Sequence, residues 1–140
     1  MNIYGPCEGG RVTYTDWLMN LNIPDNEQWL LLGDFNYIRS PENRNKPGGD
    51  VDDMLTFNEF IRLHNFVELQ IKNRKYTWSN MRLDPLLEQL DWLFTSNSWT
   101  SVFPNTIVTA SAKPISDHCP CVVNITSSIP ASTIFKFESY

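Results

Sequence analysis

The first half of the chain alternates apolar and polar positions in a way that predicts two strands separated by a helix. Residues 2–4 are expected to be the end of a strand, because Gly5 and Pro6 follow directly. Between residues 13 and 21 the apolar side chains recur every three or four positions, which is the period of a helix with one buried face. Residues 29–32 are an unbroken apolar run, typical of a strand buried on both faces.

A polar loop and a second helix are predicted next. Residues 37–49 are polar and contain two prolines and two glycines, so a loop is expected there. Asp50 and Asp53 form a capping arrangement that begins a helix. The apolar face of that helix is expected to carry Met54, Phe57, Ile61 and His64.

Short strands dominate the second half, together with one helical turn over residues 98–103. Five segments are rich in β-branched or aromatic side chains. They are residues 66–69, 76–78, 90–95, 107–110 and 121–125. This order of elements predicts an α/β (α+β) fold, a layered sandwich with a mixed sheet. Residues 1–126 are expected to form one domain, and residues 127–140, which show no period, a linker or tail.

Composition excludes several classes for this chain of 140 residues. Its apolar share of 41% and aromatic share of 13% exclude a disordered or collagen-like chain, and no apolar run has the length of a membrane span. Three cysteines, an odd number, favour a reducing compartment, so an intracellular location (nucleus or cytoplasm) without secretion or a membrane partner is expected.

Charge is unevenly distributed along the chain. The formal net charge of −5 excludes nucleic-acid binding by bulk charge alone. Residues 69–83 nevertheless hold basic side chains and no acid. The basic residues are Lys72, Arg74, Lys75 and Arg82. This stretch is either an ordinary solvated loop or a local surface for an anionic partner.

A carboxylate and an amide follow the buried apolar run directly. Asp34 and Asn36 are two positions apart, so in extended backbone their side chains share a face while Phe35 packs inward. A carboxylate beside an amide suits the binding of a metal-bound water and a phosphate oxygen. Gly-Asp-x-Asn is also ordinary turn chemistry, so these residues alone leave a structural turn open.

Other polar residues at predicted strand ends extend this candidate site. Asp117 and His118 are adjacent in a loop, where an imidazole can face a phosphate and a carboxylate can face a metal or water. Such a pair is also common in hydrogen-bonded turns. Asp91 has apolar neighbours and therefore requires a partner, for which His118 is the natural candidate. Tyr4 ends the first strand with a hydroxyl that can donate to a phosphate oxygen.

Five ordered motifs together resemble those of the endonuclease/exonuclease/phosphatase superfamily. They are Asn-x-Tyr-Gly-Pro, Leu-Gly-Asp-Phe-Asn, Tyr-Thr-Trp, Leu-Asp-Trp-Leu-Phe-x-Ser and Ser-Asp-His-Cys-Pro. Within the superfamily, the chain is similar to the C-terminal half of the apurinic-type endonuclease domain of plant LINE-type non-LTR retrotransposons. Residues 135–138 resemble the segment that leads toward the reverse transcriptase. The resemblance implies a partial four-layer DNase-like α/β sandwich, phosphodiesterase chemistry that nicks DNA, and an original fusion to a reverse transcriptase.

The resemblance also implies a role for each residue of the candidate site. Asp34 would orient or deprotonate the attacking water, and Asn36 would hold that water and a phosphate oxygen. His118 would contact the scissile phosphate while Asp91 fixes its tautomer. Tyr4 would support the phosphate or the leaving group.

Metal and DNA contacts are implied in the same way. Asp117 would lie beside a Mg²⁺ ion, with Mn²⁺ as the alternative metal. Thr77 and Trp78 would lie on a hairpin that faces DNA, next to the basic residues Arg74 and Lys75. Loops of this kind position the duplex more than they read its sequence.

Two departures from the family pattern limit what is expected of the chain. The family domain begins with a half that supplies a Glu as the principal metal ligand, and that half is expected to be missing here. Mg²⁺ usually needs one or two well-placed carboxylates, so weak or no activity of the chain alone is expected. Trp92 stands where the family has an arginine, so the loss of a charge beside the site is expected.

Two other interpretations stay open at this point. One is a non-catalytic remnant that at most binds nucleic acid weakly, and the missing Glu favours it. The other is a phosphatase of the same superfamily that acts on inositol phosphates or another small ester. The basic stretch and Trp78 favour DNA over a small ester.

Overall fold

The computed structural model describes residues 1–6, 9–24, 26–112 and 115–125. They form a mixed α/β structure, which confirms the predicted fold class. The helices are α1 (Arg11–Met19), α2 (Val51–Leu63) and α3 (Asn97–Val102). The strands are β1 (Asn2–Tyr4), β2 (Leu30–Asp34), β3 (Val67–Glu68), β4 (Ile71–Lys72), β5 (Trp78–Ser79), β6 (Leu87–Glu88), β7 (Asp91–Thr95), β8 (Ile107–Ala110) and β9 (Cys121–Asn124). The predicted tail, with the segment 135–138, lies outside the described residues.

The strands form three sheets. The largest has the order β1-β2-β7-β3, in which β1 is parallel to β2 and the other two pairs are antiparallel. A second sheet has the order β4-β8-β9, and β5 pairs with β6 in a separate hairpin. The largest sheet is therefore mixed, as predicted. None of the described helices is long and apolar enough to cross a bilayer.

Helix α2 begins where the sequence predicts. The Asp50 side chain accepts hydrogen bonds from the backbone N–H groups of Asp52 and Asp53, which satisfies two donors that have no partner within the helix. Asp52 and Asp53 also place negative charge in the first turn, where it complements the helix dipole. The loop before α2 contains one short 3₁₀ turn, Pro41–Asn43.

One face of the four-stranded sheet, here called the helix face, packs against the helices in an aromatic core. Phe57 of α2 lies at its centre and is 1% exposed. Five ring centroids lie within 6.1 Å of the Phe57 ring. They belong to Phe35, Tyr37, Phe60, Trp92 and Phe94. Phe35 is fully buried, so the prediction that it packs inward is confirmed.

The opposite face of the same sheet, here called the site face, carries the polar residues. In the strand register, Tyr4 is opposite Asp34, and Asp34 is opposite Asp91. Residues in register on neighbouring strands share a face, so these three residues form one row across β1, β2 and β7. Gly33, which precedes Asp34, permits the close approach of β1. Its φ is 142°, and a Cβ atom there would lie 1.9 Å from the Ile3 carbonyl oxygen.

Candidate active site

His118 lies between the two carboxylates of the row. Its Nδ1 atom is 2.9 Å from Asp91 Oδ2, and its Nε2 atom is 3.6 Å from Asp34 Oδ2. The Asp34 side chain is 7% exposed and the Asp91 side chain 18%, so both carboxylates are largely withdrawn from water. The prediction that Asp91 requires a partner, and that His118 supplies it, is confirmed.

Backbone pairing with β5 holds the segment that carries His118. The Ser79 N–H donates to the Asp117 carbonyl at 3.0 Å, and the Cys119 N–H donates to the Thr77 carbonyl at 2.7 Å. The residue between these two bonds is His118, so its position follows from a short antiparallel bridge to Trp78. The imidazole therefore reaches the ends of β2 and β7 from a segment that pairs with β5 and not with the four-stranded sheet.

Asp34 and Asn36 come together through a turn and not through extended backbone. Asn36 has a φ of 56°, in the left-handed region, so the prediction that extended backbone places the two side chains on one face is wrong. The Asn36 N–H donates to Asp34 Oδ1 at 2.9 Å, and its side-chain amide donates to Asp34 Oδ2 at 3.1 Å. The same amide donates to the Gly5 carbonyl at 2.9 Å. The motif is therefore a hydrogen-bonded turn, and the same turn places Asp34 and Asn36 beside His118.

Burial and charge shift the proton affinities of the cluster. The hydrogen bond to Asp91 raises the pKa of His118, desolvation opposes this shift, and the negative charges of Asp91, Asp34 and Asp117 add to the increase. Burial raises the pKa of Asp34, although the hydrogen bonds from Asn36 and the nearby imidazole act against it. The imidazole therefore holds its proton more tightly than an exposed histidine does.

Asp117 is directed at Trp78. The Trp78 Nε1–H donates to Asp117 Oδ2 at 3.0 Å, and this hydrogen bond is the main reason why the pKa of Asp117 lies below its usual value. Among the described residues, no group of three or more His, Cys, Asp or Glu side chains is arranged to hold a metal ion. The metal role of Asp117, with Mg²⁺ or Mn²⁺, therefore stays a prediction.

Thr77 lies at the start of the β5–β6 hairpin, but its side chain does not reach the surface. It is 0% exposed, so the predicted DNA contact of this hairpin cannot come from the Thr77 side chain, and the contact itself stays a prediction. Its Oγ1 atom accepts hydrogen bonds from the N–H groups of Leu90 and Asp91, both at 3.1 Å. Because its carbonyl also binds the Cys119 N–H, Thr77 ties the strand of Asp91 to the segment of His118.

The basic residues before Thr77 lie on the surface, as predicted. Arg74 Nη1 donates to Cys119 Sγ at 2.6 Å, and Lys75 Nζ lies 5.3 Å from the centroid of the Tyr76 ring. Trp78 is half-buried against the small apolar cluster of Ile38, Met54 and Leu90. The exposure of Arg74 and Lys75 is compatible with a DNA contact, which stays a prediction.

Trp92 lies outside the site. It is 2% exposed on the helix face, because it alternates in β7 with Asp91, and its Nε1–H donates to the Tyr37 carbonyl at 2.8 Å. The expectation that the replacement of an arginine by Trp92 removes a charge from beside the site is therefore wrong, because the side chain at this position packs on the helix face. Arg39 covers the Trp92 ring at 5.7 Å from its centroid.

Arg11 is a neighbour of the site that no sequence motif identifies. Its Nη2 atom donates to the Asn36 carbonyl at 3.2 Å, and its Nη1 atom pairs with Asp53. No sequence signal marks it, since a single arginine after two glycines has many surface roles. Only the packing of α1 beside the Asp34–Asn36 turn reveals the contact.

The site face also borders a cavity of about 300 Å³. It lies between the four-stranded sheet and the strand β9, next to His118. Apolar side chains line most of it, including Leu32, Leu93 and Val123. Asp91 and His118 are therefore at the margin of a space that the described residues leave open.

Comparison with known protein families finds no matching family model, and comparison with curated proteins finds no match. Among solved structures, the chain is similar to a crystal structure of beta toxin from Staphylococcus aureus, with 17% sequence identity and a TM-score of 0.49. The similarity covers 88% of this chain and 49% of that chain, so this chain spans about half the length of the toxin structure. The mixed α/β class itself follows from the helices and sheets described above.

Proposed function

We propose that the chain is a phosphodiesterase-type domain of retrotransposon origin, whose Asp34, Asn36, Asp91 and His118 form the phosphate-handling part of a DNA-nicking site. One observation carries this proposal. The His118 imidazole lies between two largely buried carboxylates, 2.9 Å from Asp91 and 3.6 Å from Asp34. The Asn36 side-chain amide donates a hydrogen bond to Asp34. Such coupled acid–base groups are typical of hydrolytic sites.

Each residue has a chemical task in this proposal. Asp91 accepts the hydrogen bond of His118 Nδ1–H and so directs Nε2 toward the substrate side. An imidazolium there would stabilise the charge that develops on a phosphate oxygen. Asp34, whose pKa burial raises, is a stronger base than an exposed aspartate and suits the removal of a proton from the attacking water.

Asn36 is better placed to orient Asp34 than to bind substrate in this state. Both hydrogens of its side-chain amide point at protein oxygens, those of Gly5 and Asp34. Binding a phosphate oxygen through this amide requires the exchange of one of these bonds. The predicted phosphate contact of Asn36 therefore includes the breaking of one of these two side-chain hydrogen bonds.

Since the described residues do not hold a metal ion by themselves, no step is assigned to one. We expect no Mg²⁺- or Mn²⁺-dependent nicking of supercoiled plasmid by the chain alone. Joining the amino-terminal half of a related retrotransposon endonuclease, which brings its Glu, should restore nicking. Asp34→Ala and His118→Ala should abolish the restored activity, because each removes a reacting group.

The control for these variants is Asp16→Ala, which removes an exposed carboxylate of α1. It should leave the restored nicking rate unchanged. Robust metal-dependent nicking by the bare chain would contradict the expected dependence on an added half. A restored enzyme that is indifferent to Asp34→Ala would contradict the proposal itself.

A non-catalytic remnant is the second candidate, favoured by the lack of a metal-holding group among the described residues. In that case the joined protein would bind a DNA duplex in a fluorescence anisotropy titration without nicking it. Hydrolysis of a small ester such as p-nitrophenyl phosphate, without nicking, would instead indicate a phosphatase. The same protein preparation therefore separates the three functions.

A further inference from the structure

We propose that Arg11 is a positioning residue that holds the Asp34–Asn36 turn in the conformation required at His118. The inference rests on the proposed function, because it assigns a purpose to the geometry of that turn. Arg11 lies at the first position of α1 and belongs to none of the five motifs of the site. Its role follows only from its contacts.

Arg11 joins three parts of the structure through its guanidinium group. Nη2 donates to the Asn36 carbonyl at 3.2 Å, and Nη1 pairs with the Asp53 carboxylate in the first turn of α2. The guanidinium carbon also lies 5.0 Å from the centroid of the Tyr37 ring, within the range of a cation–π contact. The planar fork of arginine allows these contacts at the same time.

The Asn36 carbonyl is the part of the turn that its own side chain does not hold. Asn36 is in the left-handed region, with a φ of 56°, which non-glycine residues adopt rarely and asparagine more often than most. Its N–H and its amide are bound to Asp34 and Gly5, which fixes the side of the turn that faces the site. Rotation of the peptide after Asn36 would move its carbonyl, and the bond from Arg11 opposes that rotation.

The Arg11–Asp53 pair is shielded enough to act as an anchor. The side chains are 40% and 30% exposed, whereas those of the other arginine pair on α2, Arg62 and Glu59, are 74% and 45% exposed. Exposed pairs contribute little to stability, and partial burial strengthens the interaction. Substitution of Arg62 is therefore a matched control. It removes an ion pair from α2, and Arg62 does not contact the site.

The test compares Arg11→Met and Arg62→Met with the parent chain. The first measurement is hydrogen exchange of the Asn36 side-chain amide by NMR, and the second is a titration with inorganic phosphate followed at Asn36 and His118. We expect Arg11→Met to accelerate the exchange and to weaken phosphate binding, each about tenfold, the size of one charge-assisted hydrogen bond. Arg62→Met should change neither.

Arg11→Lys separates positioning from general stabilisation. A lysine can pair with Asp53, but it lacks the fork that reaches Asp53 and the Asn36 carbonyl together. We expect Arg11→Lys to have the same urea midpoint as the parent chain. Hydrogen exchange of its Asn36 side-chain amide should stay as fast as in Arg11→Met. Equal recovery of both, or slow exchange in Arg11→Met, would overturn the inference.

Two outcomes require an additional variant or a separate interpretation. If Arg11→Met does not fold, Asp53→Asn replaces it. That variant keeps Arg11 and weakens only its anchor, and it should accelerate Asn36 exchange by a smaller factor. If the parent chain binds no phosphate, the proposed function fails, whereas the exchange measurement still decides whether Arg11 holds the turn.

Discussion

The two faces of the four-stranded sheet differ in how they are filled. The helix face is closed by aromatic rings packed around Phe57, and its core residues are almost fully buried. The site face carries the row of Tyr4, Asp34 and Asp91 and borders a cavity of about 300 Å³. Packing contacts concentrate on one face and ionisable groups on the other. Substitutions on the two faces should therefore be separable by their effect on folding.

The largest expected effect is on the helix face. Phe57→Ala removes the ring at the centre of the aromatic core and should lower the free energy of unfolding by about 3–5 kcal/mol. Urea denaturation followed by tryptophan fluorescence measures this loss. Leu55→Ala, on the exposed side of the same helix, is the control and should change stability by less than ~0.5 kcal/mol. Similar losses in both variants would contradict the central place of Phe57 in the aromatic core.

A smaller loss is expected where the site face is tied to its neighbours. Thr77→Val keeps the shape of the side chain but leaves the N–H groups of Leu90 and Asp91 without the hydroxyl oxygen. Such unsatisfied donors should lower the free energy of unfolding by about 1–3 kcal/mol. Thr77→Ser retains the hydroxyl and should lose less. A Thr77→Val variant as stable as the parent would show that this hydroxyl is not structural.

The imidazole should make the stability of the site face depend on pH. The pKa of His118 is raised in the folded chain, first by the hydrogen bond to Asp91, so the folded state binds this proton more tightly than the unfolded state. The stabilisation is complete below the unfolded value of about 6.5 and is lost as pH rises through the folded value. Parent and Asp91→Asn should therefore differ more in unfolding free energy at low pH than at high pH.

NMR titration of His118 provides the direct measurement for this prediction. Asp91→Asn should move its midpoint downward, because the charged partner is lost. Introducing His64→Gln in both proteins leaves His118 as the remaining histidine, since the chain has two. An unchanged midpoint would mean that the 2.9 Å contact does not determine the proton affinity of the imidazole.

The smallest effect on stability is expected at the exposed basic stretch. Lys75→Ala should change the free energy of unfolding by less than ~0.5 kcal/mol. If Lys75 contacts a phosphate, the dependence of log K on log salt for a DNA duplex should lose about 0.9 from its slope. Arg62→Ala, a basic residue on α2, should leave the slope unchanged. Identical slopes in parent and Lys75→Ala would remove this residue from the DNA surface.

The sequence predicted the elements whose own side chains repeat with a clear period. The helix α2, the strand β8 and the apolar residues 30–32 of β2 were identified, because burial on one or both faces produces a clear pattern of apolar positions. The last two residues of β2, Gly33 and Asp34, were placed after the strand, because neither is apolar. The two-residue strands β4 and β6 were missed. Each exists only because it pairs with a partner, β4 with β8 and β6 with β5, and two residues have no period.

In the site, too, the features that depend on neighbouring residues in sequence could be predicted, whereas those that depend on tertiary packing could not. The partnership of Asp91 and His118 could be predicted, because a carboxylate within an apolar strand requires compensation. The burial of Thr77 could not, since a hydroxyl that accepts two backbone N–H groups looks in sequence like any surface threonine. The contact from Arg11 to Asn36 depends on how α1 packs, which no local pattern encodes.

The pairing of β2 with β7 has a consequence for the order of folding. It brings Asp34 opposite Asp91 across a long stretch of intervening chain, and His118 lies a further 27 residues beyond Asp91. Closing such loops is slow, because the entropy is lost before the contacts form. The imidazole and its two carboxylates therefore meet late, after local helices have had time to form. During synthesis the site therefore stays incomplete until the segment before β9, which carries His118, has been made.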